Sequence, residues 1–85
     1  MEIVYTQKAQ EHITYWKSTG NKLIMSKISK LIDAIEKDPY EGIGKPEALK
    51  FELTGLWSRR INQQHRIVYQ VEPDRIIILS LKGHY

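Results

Sequence analysis

Apolar positions recur at helical spacing in two stretches near the N-terminus and at strand spacing through the second half of the chain. A short strand is expected over 2–5 (Glu-Ile-Val-Tyr), with Thr6 placed to cap a helix over about residues 7–18. Ala9, Ile13 and Trp16 lie on one face of that helix, and Gly20 fits its stop. Asn21 can cap a second helix reaching about Lys37, with Leu23, Ile24, Ile28, Leu31, Ile32 and Ile35 at helical spacing. Its lysines, Lys22, Lys27, Lys30 and Lys37, fall mostly on the opposite face. Asp38-Pro39 ends the helix, because the residue before a proline avoids helical dihedrals.

Residues 38–49 (DPYEGIGKPEAL) show neither period and read as a loop, long enough in so short a chain to suggest a functional role. Four strands are expected beyond it, at Lys50–Leu53, Trp57–Ile61, His65–Val71 and Arg75–Lys82. Turns at Thr54-Gly55, Asn62–Gln64 and Pro73-Asp74 join them into an antiparallel meander. The fold class is therefore α+β, ordered strand, two helices, four strands, with both helices on one face of a small antiparallel sheet. Residues 1–85 are expected to form a single domain.

Side chains alternate across a strand, so the apolar parity of each strand selects the face turned to the helices. Phe51 and Leu53 are expected inside in the second strand, and Trp57, Arg59 and Ile61 in the third. Ile67, Tyr69 and Val71 follow in the fourth, and Ile77, Leu79 and Leu81 in the fifth. The opposite face then collects Lys50, Arg60, Arg66, Lys82 and His84. The apolar pattern also requires a three-residue loop at Asn62–Gln64, which sets Arg60 directly across from Arg66. Facing like charges repel, so the pair suggests an anion held between them. His84 follows the run Arg75–Gly83, which reads as a buried strand expected to hold the C-terminal residues in place.

Charge sharpens this picture. Residues 1–42 balance six Lys against six acids, so the net +3 resides in residues 43–85, which hold all four arginines. That bias favours an anionic partner. The chain has no cysteine, which removes disulfides and thiolate metal sites and fits a cytoplasmic protein. No apolar run is long enough for a membrane span, and the N-terminus lacks a signal-peptide pattern. The three histidines share no ligand spacing, so neither a metal nor another cofactor is expected.

Cleaving RNA without a metal requires a base for the 2′-hydroxyl, an acid for the departing 5′-oxygen and cations for the phosphate. Glu47, in the loop three residues before Lys50, is the base candidate. His84, His65 and His12 are acid candidates, of which only His84 lies on the basic face. Arg60 and Arg66 can hold the phosphate, Lys50 adds a further cation, and Tyr85 can stack on a base or donate a hydrogen bond. Trp16, Trp57 and Tyr69 read as core. A surface histidine and a solvated loop glutamate remain the bland readings of His84 and Glu47.

The segments GIGKPEALK (42–50), LWSRRIN (56–62), HRIVY (65–69) and KGHY (82–85) resemble the YoeB/Txe toxins of type II toxin–antitoxin modules, within the RelE-like group. The resemblance spans the chain and implies the RelE-like fold and ribosome-dependent cleavage of messenger RNA in the A site. It implies Glu47 as general base, Arg66 as phosphate ligand and His84 as general acid, with Lys50, Arg60 and Tyr85 assisting at the substrate. It further implies a YefM-like antitoxin, operator DNA bound only through the antitoxin complex, and a homodimer. Ala48 replaces the family's usual proline and Gly83 its usual aromatic or acidic residue. These changes are expected to loosen the loop carrying Glu47 and the tail carrying His84. Two other readings compete: a non-catalytic toxin of the same fold acting on a protein such as DNA gyrase, and a passive RNA-binding module. Neither requires Glu47, Arg66 and His84 together.

Overall fold

The computed structural model describes residues 1–83. In chain order the elements are β1 (Glu2–Tyr5), α1 (Gln7–Thr19), α2 (Lys22–Lys37), β2 (Glu47–Ala48), a 3-10 turn (Phe51–Leu53), β3 (Leu56–Arg60), β4 (Arg66–Val71) and β5 (Arg75–Ser80). Both helices start where the sequence indicates. The Thr6 hydroxyl accepts from the Ala9 N–H at 3.1 Å, and Asn21 Oδ1 accepts from the Ile24 N–H at 3.1 Å. Gly20 closes α1 in the left-handed region at φ 67°, where a side chain would be strained. Ile28, Leu31 and Ile35 of α2 and Ala9 and Trp16 of α1 pack on Ile61, Ile67, Tyr69, Ile76, Ile78 and Leu81 in the core. Leu23, expected on the apolar face of α2, is 85% exposed because it lies in the first turn, one residue before the buried seam begins.

The sheet order is β1-β5-β4-β3-β2. Strands β2 to β5 form the expected antiparallel meander, but β1 joins β5 in parallel, with Ile3 beside Ile76 and Tyr5 beside Ile78. Two helices intervene between β1 and the meander, so no hairpin forces antiparallel pairing.

Two strand readings are corrected. Lys50–Leu53 is not a strand: the edge strand falls earlier, at Glu47–Ala48, and a 3-10 turn covers Phe51–Leu53. Leu49, rather than Phe51, enters the core; Phe51 is 88% exposed and has φ 59°. In β5 the inward residues are Ile76 and Ile78, not Ile77 and Leu79. Val68 pairs with Ser80 but Tyr69 with Ile78, so Leu79 is an extra residue, a bulge that reverses the parity. Beyond it the expected phase returns, and Leu81 is fully buried. The Leu79 carbonyl accepts from the Thr6 hydroxyl at 3.2 Å. The strand stops at Ser80, two residues before the expected end.

Candidate active site

The register fixes which residues share the face away from the helices. Glu47 pairs with Ser58, Ser58 with Val68 and Val68 with Ser80, one row across four strands. The next row along β3 and β4 is Arg60 opposite Arg66, as the three-residue loop requires. The loop is held by the Ile61 N–H donating to the His65 carbonyl at 2.9 Å, and Asn62 Oδ1 accepts from the Gln64 and His65 amides. Arg59, Ile61, Ile67 and Tyr69 occupy the helix side, so Arg60, Arg66 and Glu47 lie together on the other. Ideal strand spacing puts the Glu47 and Arg66 Cα atoms roughly 12 Å apart, a gap that their side chains can span around a phosphate. Ser58, across from Glu47, is fully buried, and its hydroxyl has no hydrogen-bond partner among the described residues.

The four arginines serve different ends. Arg75 is bonded to Glu72 at 2.6 Å beside the Pro73-Asp74 turn, at the opposite end of the strands from Arg60. Arg59 is fully buried. Its Nε donates to the Tyr69 hydroxyl at 3.1 Å, Nη1 to the Ile43 carbonyl at 3.2 Å, and Nη2 to the carbonyls of Glu41, at 2.9 Å, and Asp38. Tyr69 in turn donates to the Pro39 carbonyl at 2.6 Å. One guanidinium therefore pins residues 38–43, the approach to Glu47, onto β3 and β4. Gly44 completes the approach: its carbonyl accepts from the Arg60 N–H at 2.6 Å. The sequence placed Arg59 on the inner face but did not disclose this strut, since a lone inward arginine has no pattern of its own.

Lys50 is not placed as expected. It follows β2 rather than lying in a strand, and it lines a groove of ≈ 500 Å³ together with Glu47, Phe51 and Leu53. Lys82 turns to α1, its Nζ lying 4.0 Å from the centre of the Tyr15 ring. A second groove, of ≈ 440 Å³, has Leu53, Leu56, Val68 and Leu79 in its lining and also includes Lys8 and Lys82. His84 and Tyr85 lie outside the described residues, so the expected fixing of the terminus can be followed only as far as Gly83. There the Gly83 carbonyl accepts from the Arg66 N–H at 2.9 Å, which brings the tail to the start of β4.

His12 and His65 do not join the face that carries Arg60 and Arg66. Both are half-buried and accept hydrogen bonds at Nδ1, His12 from the Leu81 N–H at 3.0 Å and His65 from the Gly83 N–H at 2.8 Å. Burial pushes the His12 imidazole below its ordinary range; Lys8 and Lys82 add to this and Glu11 opposes it. Trp16 and Tyr69 are core as expected, while Trp57 is only partly buried against it.

A mixed five-stranded sheet with two helices on one face is the architecture of the RelE-like toxins. A sequence model described as "YoeB-like toxin of bacterial type II toxin-antitoxin system" matches residues 5–85, and the chain belongs to this family. It is 41% identical to Toxin YoeB of Escherichia coli K12 over 85 residues, all of both chains. The solved YoeB/ParE toxin from Agrobacterium tumefaciens superposes with a TM-score of 0.95 at 36% identity, covering all of both chains. The YoeB dimer from Staphylococcus aureus matches with a TM-score of 0.89 at 43% identity, over 100% of this chain and 98% of that one. A heterotetrameric YoeB-YefM complex from Staphylococcus aureus also matches, with a TM-score of 0.88 at 43% identity over 100% of this chain and 98% of that one. No helix among the described residues is long and apolar enough to cross a membrane.

Proposed function

We propose that this toxin is a metal-independent endoribonuclease that cuts messenger RNA in the ribosomal A site. Glu47 takes the proton from the 2′-hydroxyl, and the freed oxygen attacks phosphorus. The bond from phosphorus to the 5′-oxygen breaks as the His84 imidazolium protonates the leaving oxygen. The products are a 2′,3′-cyclic phosphate and a 5′-hydroxyl end. Arg66 and Arg60 hold the non-bridging oxygens, with Lys50 and Tyr85 assisting. The observation that carries this reading is the register, which sets Glu47 on the same face as an opposed arginine pair. The apolar lining of the second groove offers an unstacked base a surface, and Lys8 and Lys82 suit its backbone.

A carboxylate and an imidazole act weakly on free RNA without alignment, which the ribosome supplies and which is worth about 7–11 kcal/mol in well-oriented cases. The protein works in the cytoplasm as a homodimer and is neutralised by a YefM-like antitoxin, through which alone it reaches operator DNA. The Staphylococcus dimer and YoeB-YefM complex support these partners. Replacing His84 with Gln is expected to preserve ribosome binding and lower cleavage, mapped by primer extension, by about 10²–10⁴-fold. Glu47→Gln should do the same. Undiminished cleavage in both variants, or brisk turnover of free RNA by the pure toxin, would refute the mechanism.

A further inference from the structure

We propose that His12 and His65 are positioning residues, a pair of imidazole acceptors that set the C-terminal tail in place for the reaction. This rests on the reading of His84 as the general acid. Strand β5 ends at Ser80, and beyond it the peptide groups of the tail have no ladder to join. Alternate residues of the tail are instead held at both of their backbone groups. The Leu81 N–H donates to His12 Nδ1 at 3.0 Å, and the Leu81 carbonyl accepts from Trp16 Nε1 at 2.9 Å. His12 and Trp16 stand four residues apart on α1, one turn above the other. The Gly83 N–H donates to His65 Nδ1 at 2.8 Å, and the Gly83 carbonyl accepts from the Arg66 N–H at 2.9 Å. The residue before His84 is thus tied to His65 and to Arg66, the first residue of β4 and the proposed phosphate ligand.

Trp16 links the two clamps, because the His65 ring stands edge-on to it with centroids 4.8 Å apart at 83°. Between the clamps the Lys82 ammonium lies over the Tyr15 ring. Gly83 adopts φ 75°, a turn that glycine makes without strain. The expected loosening of the tail by glycine is therefore offset by two clamps whose geometry the glycine suits. An imidazole that accepts at Nδ1 carries its proton on Nε2 and is neutral. A proton on Nδ1 would set donor against donor and release the tail. Both imidazoles are thereby committed to holding the Leu81 and Gly83 amides rather than acting as the acid.

The test combines nuclear magnetic resonance of the free toxin with ribosome-dependent cleavage. In the wild-type protein at neutral pH, Nδ1 of both rings should be unprotonated and the Leu81 and Gly83 amides slow to exchange. His65→Ala should free the Gly83 amide and lower cleavage by about 10²-fold, the cost of misplacing a reacting group by about an ångström. His65→Asn, whose Oδ1 falls near the Nδ1 position, should restore both readouts. His65→Gln, whose oxygen falls near Nε2, should restore neither. His12 should show the same pattern at Leu81. A proton on Nδ1 of either wild-type ring, or equal cleavage by the Ala and Asn variants, would overturn the proposal. Amide release in the Ala variants alongside full activity of His84→Gln would instead remove the acid assignment and leave the clamps standing.

Discussion

Arg59 is a cation with no exposure whose partners among the described residues are three main-chain carbonyls and a phenol. Such a charge is tolerable only because its fork of donors is almost fully used, each bond to a charged donor being worth about 1.5–3 kcal/mol. Lysine presents one compact ammonium and cannot span Tyr69 on one side and Asp38, Glu41 and Ile43 on the other. Arg59→Lys is therefore expected to lower stability by about 3 kcal/mol, read from the urea midpoint. Tyr69→Phe should cost less, about 1–2 kcal/mol, because Arg59 keeps its carbonyl bonds while the Pro39 carbonyl loses its donor. Burial pushes the Tyr69 phenol up, and the Arg59 bond and charge only partly oppose this, so the phenol stays protonated and able to donate to Pro39. Equal midpoints for wild type and Arg59→Lys would show that the strut carries no load.

The segment from Pro39 to Ala48 takes its shape from close approach as well as from Arg59. A Cβ on Gly44 would lie 2.6 Å from Leu31 Cδ2, 3.1 Å from Arg59 Cβ and 3.2 Å from the Arg60 carbonyl, at φ 86°. The leucine tip can swing aside, but the Arg60 carbonyl belongs to β3 and cannot. Gly20 is the matched control, left-handed at φ 67° with nothing within 4 Å. Gly20→Ala should cost about 1 kcal/mol, the strain of a left-handed alanine alone. Gly44→Ala should cost about 2–3 kcal/mol, measured as the difference in unfolding midpoint. The parity of β3 and β4 was legible in the sequence because Arg59, Ile61, Ile67 and Tyr69 alternate with Ser58, Arg60, Arg66 and Gln70, Val68 being the apolar exception, and the odd loop then forced Arg60 opposite Arg66. In β5, Ile76-Ile77-Ile78-Leu79 is apolar throughout and carries no parity, so the bulge at Leu79 left no mark. Phe51 and Leu53 mimic an alternating strand, and only the ladder's end at Leu49, bonded to the Leu56 carbonyl, shows otherwise. Glu47 was found as a chemical candidate before its strand was, and the clamping role of two histidines depends on tertiary bonds that no local pattern announces.

On the scale of the whole molecule, the first helix and the last residues close the chain on itself. Thr6 reaches Leu79, Trp16 reaches the Leu81 carbonyl and His12 reaches the Leu81 amide, contacts spanning 65 to 73 residues of sequence. Protonating His12 therefore strikes a bond joining the two ends. Its folded pKa is lowered, first by burial, then by Lys8 of its own helix and Lys82 of the tail, with Glu11 opposing. An imidazole depressed in the folded state binds a proton more readily when unfolded, so the unfolded form gains protons first as pH falls. The stabilisation is complete above the unfolded value of about 6.5 and is lost as pH drops from there through the folded value. His12→Asn keeps an acceptor near Nδ1 but cannot titrate. Between about pH 7.5 and about pH 5.5, wild type should lose more of its melting temperature than His12→Asn does. The two melting curves should converge in their pH response above neutrality, where His12 is neutral in both states. Parallel losses across the acid range would mean that His12 is as free to take a proton in the folded chain as in the unfolded one, which its bond to Leu81 forbids.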